Sequence, residues 1–566
     1  MKWFTLYILH LFLVSAAFAQ TVDLEPIRVV GEGGYQEVLS SYEPVSLAGD
    51  FSGIDIQEFT GYGFLQDVSI RGGIFEDTNT RLNGISLNNP QTGHYHLSLP
   101  VVSTDIEGLN ADLNRQTLNY NLLLPVRESS FIRMAGGNGG FAESVLSMTR
   151  KAQDSFHRFS IEGTRADGLL DETDGFRSAA SYTLNHQGSY NDFFLYTAVS
   201  EKKFGVGGAY SAPWYMKEEE HLKQELFMAK WTSHKEIDFS IAPYVHRTQD
   251  LFLLDRDNPS FYRNDHTTFV SGNIIELYDT QTGRYGTFEF QREDIRSTNL
   301  DEHQRFSYAF DAGIKEGEYG GWLYEGGLRA RYFDRFPFKL MPHLGVGYRV
   351  TNFWKVQIKA NRSFRQPSFT ELYYDSPTNI GNANLELQQS DNIELGTSYE
   401  TNEFRFYFDG FYRRQQNTID WVRDSGAVQY QAINTGKVNV RGFDIGIGTA
   451  INLIIFDRMD LAYTRLNVNK EKLYDVSKYV FDYLRDRAVL KLSSGKGKWG
   501  WSVNSVYEYH ISLGDRIIFS AEGDYRVSND SRVFIAADNI LDEDYEEFSF
   551  IQGSPFFIKA GLEMYF

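Results

Sequence analysis

The final eleven residues alternate between two kinds of side chain without a break, and this pattern restricts the fold more than any other. Lys559 and Glu563 lie on one face of the predicted strand. The opposite face is wholly apolar and consists of Phe556, Ile558, Ala560, Leu562, Met564 and Phe566. Successive side chains of a strand point to opposite sides, so the segment predicts a strand with lipid on one face and water on the other.

The same period of two recurs from about residue 129 to the end, for example in residues 354–360 and 404–413. Apart from the extreme N-terminus, no apolar run approaches the roughly 18–20 residues that a spanning helix needs. Aromatic residues make up 15% of the chain, with 49 Gly and only 13 Pro. These features predict an all-β membrane protein, an antiparallel transmembrane β-barrel. With about 22 strands, each strand and its connection would take about 20 residues, although 18 or 20 strands with longer loops would also fit.

The N-terminus has the pattern of a secretory signal peptide. Lys2 precedes an apolar stretch from Trp3 to Val14, and Ala17-Phe18-Ala19 is a small-x-small cleavage motif. The apolar stretch is too short for an anchor helix, so residues 1–19 are predicted to be removed after export.

Composition excludes several functions. The chain has no Cys, which excludes disulfides, thiolate metal sites and thiol catalysis. Its net charge of −20 argues against a nucleic-acid partner, because phosphate binding needs a basic face. No catalytic constellation stands out, and the chain is interpreted as not an enzyme.

Residues 31–128 differ from the rest, with short strand-like pieces among turn residues such as Asn83-Gly84. They predict a small α+β domain ahead of the barrel at 129–566. Within this domain, Leu65–Gly73 and Arg81–Asn88 resemble the plug motif of the TonB-dependent receptors, with Asn83 where that family usually has Asp. The residues that carry this motif are Ser69, Ile70, Arg71, Gly72, Arg81, Asn83 and Gly84.

The barrel region carries further motifs of that family in the same order. They are Phe364–Tyr373, Gly381–Leu385, Glu394–Gly396, Asn434 with Val440–Asp444, and Asp538–Tyr545. One departure is the end of the plug, Ile106–Val126, which lacks the family's glycines. The plug is therefore expected to be shortened or divergent there.

The resemblance implies a monomeric bacterial outer-membrane receptor whose plug fills the barrel and which imports a scarce nutrient using energy delivered by TonB. The implied partners are the TonB C-terminal domain, the barrel-assembly machinery, outer-membrane lipids and a small-molecule ligand. No covalent cofactor is expected.

Residues 20–30 resemble the TonB box, and an ordinary plug strand is the alternative. The proposed TonB contacts are Leu24, Glu25, Pro26, Ile27, Arg28, Val29 and Val30.

Other site residues are predicted on the same basis. Arg71 and Arg81 are expected to face acidic groups between plug and barrel wall. His94, Tyr95 and His96 lie on a plug loop that resembles one in receptors of Bacteroidota, where they would meet ligand or simply be solvated. Asp255 and Asp257, beside Asn258, could bind Ca²⁺ in an external loop or form an acidic surface turn. Leu562, Met564 and Phe566 resemble the signal read by the barrel-assembly machinery.

The cargo is left between two classes, a cobalamin-like corrinoid and a ferric siderophore. Asn417–Trp421 and Lys478–Arg485 resemble barrel segments of vitamin B12 receptors. Two rival interpretations are a passive or structural barrel with a degenerate plug, and an outer-membrane enzyme of the lipase or protease type. The plug motif distinguishes the receptor from a passive porin, which has no such domain.

Overall fold

The computed structural model describes most of the chain from residue 51 onward. The described residues are 49, 51–93, 98–211, 216–376, 378–451, 453, 455–471, 474, 476–477 and 483–566. No helix within these ranges is long and apolar enough to cross a membrane. The predicted signal peptide and TonB-box segment lie outside the described residues.

Twenty-two antiparallel strands form a closed barrel, which confirms the predicted fold class. The last strand pairs with the first, with Met564 opposite Ile132, so no strand edge is left exposed to lipid. The barrel strands are β7 (Ser129–Gly137), β8 (Ala142–Ala152), β9 (Ser155–Ala166), β10 (Gly175–Gln187), β11 (Asn191–Gly205), β12 (Glu219–Ser233), β13 (Asp238–Leu253), β14 (Arg263–Tyr278), β15 (Arg284–Ser297), β16 (Asp301–Tyr319), β17 (Trp322–Phe333), β18 (Lys339–Arg349), β19 (Trp354–Arg365), β21 (Gln388–Glu400), β22 (Phe404–Gln416), β25 (Val438–Ala450), β26 (Arg458–Lys470), β28 (Leu484–Lys496), β29 (Trp499–His510), β30 (Gly514–Arg526), β31 (Ser531–Asp538) and β34 (Phe557–Tyr565).

The connections at the two ends of the barrel differ in length. Short turns such as 153–154 and 497–498 lie at the end where the chain also terminates, here called the short-turn rim. The longest connections, 366–387, 417–437 and 539–556, all lie at the opposite end, the long-loop rim. In outer-membrane barrels, short turns face the periplasm and long loops face the exterior, so the long-loop rim is the external one.

The alternation seen in the sequence separates lipid-facing from lumen-facing residues. On β34, Lys559 and Glu563 are buried inside, whereas Met564 and Phe566 are exposed on the outer surface. β22 is similar, with Phe408 exposed and Arg413 buried. The face assignment made from the sequence is therefore confirmed for both strands.

The plug lies inside the barrel and consists of two small sheets. One pairs β1 (Ile54–Glu58) with β2 (Gln66–Ile70). The other is built from β3 (Asn79–Leu82), β4 (Ile85–Ser86), β5 (Ile106–Asp112) and β6 (Thr117–Leu122). The order of strands in this second sheet is β4-β3-β6-β5.

The glycine-poor end of the plug thus folds as the hairpin β5–β6, whose buried side chains include Leu118 and Tyr120. Helical structure in the described part of the plug is limited to two 3₁₀ helices, Phe75–Asp77 and Ser103–Asp105.

Three external loops join in a second layer of structure above the barrel. Strands β20 (Asn379–Ile380), β23 (Ile419–Arg423), β24 (Tyr430–Asn434) and β27 (Val476–Ser477) form a sheet of order β20-β24-β23-β27, here called the lid sheet. The helix α1 (Phe369–Tyr373) precedes it, and a small core joins Leu372, Leu385, Ile419, Trp421 and Ala432. The last long loop carries the hairpin β32 (Glu546–Phe548) and β33 (Ile551–Gln552).

Candidate functional site

Arg71 of the plug is held between two carboxylates of the barrel wall. Its Nη1 lies 2.6 Å from Glu394 Oε2 and its Nη2 lies 2.5 Å from Asp444 Oδ2. The guanidinium also lies 4.0 Å from the ring centre of Phe411. All three charged side chains are at least nine-tenths buried. Burial opposes the charge of Arg71, but the two carboxylates outweigh it and raise the Arg71 pKa.

Backbone geometry places this arginine. Arg71 and Gly72 both adopt the left-handed region, with φ of 48° and 66°. A Cβ on Gly72 would lie 3.3 Å from Leu466 Cδ1 and 3.4 Å from Val468 Cγ2, so a side chain here would crowd the wall. The Ser-Ile-Arg-Gly motif therefore combines a turn that only Gly adopts easily with an arginine directed at the wall.

Further plug–wall contacts use the same chemistry of arginine donors and buried acceptors. Arg158 Nε donates to Asp105 Oδ1 of the plug at 2.9 Å. Arg413 Nη2 donates to the carbonyl of Arg71 at 2.9 Å, and Arg487 Nη1 donates to that of Phe51 at 2.7 Å. The plug is thus fixed to several strands of the barrel.

Arg81 behaves differently from the prediction. It lies close to Glu289 of the wall, but that carboxylate forms its ion pair with Arg329. Arg81 Nη1 donates instead to the carbonyl of Gly84 at 3.4 Å. Burial, together with the charge of Arg329, lowers the Arg81 pKa to about 10. Arg81 is therefore close to an acidic group of the wall, but it forms no ion pair with that group.

Arg81, Asn83 and Gly84 line a cavity of about 420 Å³ between the plug and strands β11–β18. The strand segments around it lie toward the short-turn rim. The wall side carries paired ions, including Lys315 with Glu276 at 2.9 Å. This cavity therefore lies in the half of the lumen toward the short-turn rim, and side chains of both charges line it.

The plug loop that precedes the predicted ligand residues lies under the external loops. Phe369 N donates to the carbonyl of Pro90 at 2.9 Å, and Thr370 N donates to that of Gln91 at 2.8 Å. His94, Tyr95 and His96 themselves lie outside the described residues. Their flanking residue Gly93 is next to Ser368, at the start of α1 on the external side.

A contact that the sequence did not predict joins the β32–β33 hairpin to the plug. Phe548 stacks on Phe59 with ring centres 5.0 Å apart and an interplanar angle of 14°. Glu58 N donates to Glu547 Oε1 at 3.0 Å. Glu547 also pairs with Arg516 of the wall at 2.6 Å. The last external loop therefore reaches the plug directly.

The Glu58 carboxyl at this contact makes the stability of the plug depend on pH. Burial raises the pKa of Glu58 to about 7, although Gly63 N donates to its carboxylate. Because the folded-state pKa lies above the unfolded value, the folded plug binds this proton more tightly, and stability falls as pH rises from about 4.5 to 7. We expect the plug strands to open more easily at pH 8 than at pH 5, by about 2 kcal/mol, measured by hydrogen exchange at matched chemical rates.

The variant Glu58→Gln should remove most of this dependence. Its amide retains an acceptor for Gly63 N but cannot titrate. Glu107→Gln, at an exposed position of β5, is the control and should keep the wild-type dependence. An unchanged slope in Glu58→Gln would contradict this assignment.

The predicted Ca²⁺ residues are engaged in other contacts. Asp257 Oδ2 lies 2.7 Å from Lys217 Nζ, and Asp255 Oδ1 accepts from Asp257 N at 3.0 Å. No group of three or more His, Asp or Glu side chains in the described ranges is arranged to hold a metal ion. Arg256 pairs with Glu172 and Asp174, so this turn joins three external loops by ion pairs. The geometry favours the acidic-turn alternative, and Ca²⁺ binding stays a prediction.

The segment Asn417–Trp421 contributes to the lid sheet rather than to an open binding surface. Ile419 and Trp421 belong to its core, and Asp420 is buried beside Ser477. In α1, Tyr373 stacks on His303 with ring centres 3.7 Å apart. No sequence motif marked this aromatic contact. Residues 478–482 of the second segment lie outside the described residues.

Comparison with known families identifies the chain. The family model described as "TonB dependent receptor-like, beta-barrel" matches residues 57–540. The chain belongs to the TonB-dependent receptors. A receptor of this family is a transporter of the bacterial outer membrane and not an enzyme, in agreement with both predictions.

Relatives and solved structures agree with this assignment. The receptor is 21% identical over 480 residues to the vitamin B12 transporter BtuB of Photobacterium profundum, covering 79% of this chain and 76% of that protein. Its fold is similar to the FrpB iron transporter of Neisseria meningitidis (TM-score 0.76, 10% identity, 93% and 97% covered). It is also similar to the ferric enterobactin receptor PfeA of Pseudomonas aeruginosa, with a TM-score of 0.75, 13% identity, and 93% of this chain and 97% of that chain covered. The copper transporter OprC has a TM-score of 0.76 and 11% identity, with 93% of this chain and 98% of that chain covered.

Proposed function

We propose that this receptor imports a cobalamin-like corrinoid into the periplasm and that TonB supplies the energy for the step. The sequence relative that supports this cargo is the vitamin B12 transporter, which is similar over most of both chains. Iron and copper transporters are similar in fold only, at 10–13% identity. A ferric siderophore is therefore the second candidate.

The observation that carries the proposal is the anchored plug. Arg71 joins the plug to two barrel strands through a buried ion-pair triad, and Arg158, Arg413 and Arg487 add further contacts. A large cargo cannot pass until some of these contacts are broken, and breaking buried charge pairs costs about 3–5 kcal/mol each. This cost supports transport driven by TonB over passive diffusion through an open pore.

Cobalamin binding to the detergent-purified receptor is the decisive measurement. Equilibrium dialysis should give saturable binding with a Kd in the nanomolar range, at least 100-fold tighter than any member of a ferric siderophore panel. Saturable binding of an iron chelate without cobalamin binding would move the assignment to the siderophore class. Failure to bind either class would contradict import of both cargoes.

Variants of the plug loop and of the external turn test the sites themselves. His94→Ala with His96→Ala should weaken cobalamin binding about tenfold or more if these side chains contact the ligand. His186→Ala, near the short-turn rim, is the matched control. Asp255→Asn with Asp257→Asn should abolish any tightening by Ca²⁺, and no effect of Ca²⁺ on the wild type would end that hypothesis.

A further inference from the structure

A group of arginines lies on the outer surface of the barrel near the long-loop rim. Its members are on neighbouring strands of one side, β19, β22, β25 and β26, with β21 between the first two. We call the group the arginine band, and it consists of Arg362, Arg414, Arg441 and Arg465.

Contacts of the adjacent residues fix the direction of these side chains. Arg413 donates to the plug at the carbonyl of Arg71, so Arg414 faces away from the lumen. Val440 is fully buried on the inner side, which places Arg441 outside. Thr464 bonds Ser52 of the plug, which places Arg465 outside, where its side chain is 55% exposed.

The band lies at the edge of the apolar outer surface. Along β22, the exposed residues Phe404, Phe408 and Tyr412 precede Arg414 on the same face. At about 3.3 Å per residue and a tilt near 40°, this stretch rises about 25 Å, close to the height of the apolar band of outer-membrane barrels. Arg414 therefore lies where lipid headgroups meet water on the external side.

Arg414 and Arg441 form no ion pair within 4.0 Å among the described residues, although the Asp391 carboxylate is close enough to Arg414 to interact with its charge. Asp391, which lies opposite Arg414, instead bonds Arg362 at 2.5 and 3.2 Å. Arg465 has only a long contact to Asp486, at 3.5 Å. The band is thus locally cationic in a chain whose net charge is −20.

Exposed arginines on another side of the barrel, around β13–β15, are paired. Arg247 lies 2.9 Å from Glu225, and Arg292 lies 2.6 Å from Asp294. A similar pair joins Arg263 to Asp265 at 3.0 Å, and Arg296 has a long contact to Glu302 at 3.6 Å. The surplus of positive charge therefore distinguishes the β19–β26 side from the β13–β15 side.

The strand register brings the unpaired arginines close together. Arg414 is opposite Asn439 and Arg441 is opposite Tyr412, so the two arginines are diagonal neighbours. Diagonal neighbours are about 7–8 Å apart, and like charges at such spacing repel each other. An anion between the two guanidinium groups would convert this repulsion into attraction.

We propose that the arginine band binds the phosphate groups of a phosphorylated glycolipid in the outer leaflet. Arginine suits this role, because its planar guanidinium matches phosphate in a bidentate geometry. The exposed apolar side chains directly below, such as Phe408 and Leu395, would contact the acyl chains of the same lipid. The site is separate from the lumen and does not depend on the identity of the cargo.

Native mass spectrometry of the detergent-purified receptor tests this proposal. The probes are purified outer-leaflet glycolipid, the same lipid after enzymatic dephosphorylation, and phosphatidylglycerol. We expect the wild type to bind the phosphorylated glycolipid at least tenfold tighter than either other probe. The variant Arg414→Gln/Arg441→Gln should lose about 10- to 100-fold of that affinity.

The matched control is Arg247→Gln/Arg292→Gln, which removes two exposed but paired arginines on the other side. It should bind the phosphorylated lipid as the wild type does. Equal binding of the dephosphorylated lipid, equal binding of phosphatidylglycerol, or an equal loss in the control would each overturn the proposal. The comparison of lipids on the wild type keeps the test valid even if the double variant does not fold.

Discussion

Replacement of Arg71 by methionine is expected to loosen the plug and to speed hydrogen exchange of β1 and β2 by about 100- to 4000-fold. The variant leaves Glu394 and Asp444 buried without their cation, which costs about 3–5 kcal/mol. Since every 1.4 kcal/mol is a factor of ten in the opening equilibrium, the exchange rates follow directly. The barrel strands should retain wild-type protection, because their backbone hydrogen bonds are untouched.

Arg115→Met is the matched control for this experiment. Arg115 is also a plug arginine with an acidic neighbour, but its side chain is 43% exposed and lies 3.5 Å from Asp112. An exposed pair contributes about 0–1 kcal/mol, so exchange should change less than fivefold.

A rescue variant separates charge from packing. Adding Glu394→Gln to Arg71→Met removes one of the two buried carboxylates that have lost their cation. Hydrogen exchange of β1 and β2 should then be about tenfold slower than in Arg71→Met alone. Leakage of a large antibiotic through the barrel should follow the same order of variants. Wild-type exchange in Arg71→Met would show that the triad does not hold the plug.

The barrel could be predicted from the sequence because the alternation that marks each strand depends only on residues within that strand. Each strand must place apolar side chains on lipid and polar ones in the lumen, so the period of two is visible in segments such as residues 404–413 and 556–566. Arg71 could also be placed between plug and wall, because a buried guanidinium needs carboxylates and the motif identified the turn. The sequence did not reveal that Glu394 and Asp444 would be those carboxylates.

The external layer could not be predicted, because its contacts join residues far apart in the chain. The lid sheet pairs β20 with β24 and β23 with β27, and each of these strands is only two to five residues long. Such short strands have no period of their own. The same reason explains Arg81, whose acidic neighbour Glu289 is engaged by Arg329, a third residue on another strand.

Removal of residues 24–30 is expected to reduce cobalamin uptake by at least 100-fold while leaving cobalamin affinity within twofold of the wild type. These residues resemble the TonB box, and strand addition to a partner's sheet edge needs their extended backbone. The described contacts between plug and wall do not involve these residues, so we expect the deletion to remove the proposed TonB contact and to leave those contacts unchanged. Uptake of labelled cobalamin by cells and equilibrium dialysis of the purified receptor measure the two quantities.

Single substitutions give the same test without shortening the chain. Ile27→Pro removes a backbone N–H that strand addition would use, whereas Ile27→Val keeps it together with the β-branched shape. Uptake should therefore fall in Ile27→Pro and persist in Ile27→Val, with binding unchanged in both. If all three variants take up cobalamin normally, the segment is an ordinary part of the plug, and the energy for moving the anchored plug must enter elsewhere. If binding is lost together with uptake, the segment contributes to the ligand site, and its role as the TonB contact is refuted.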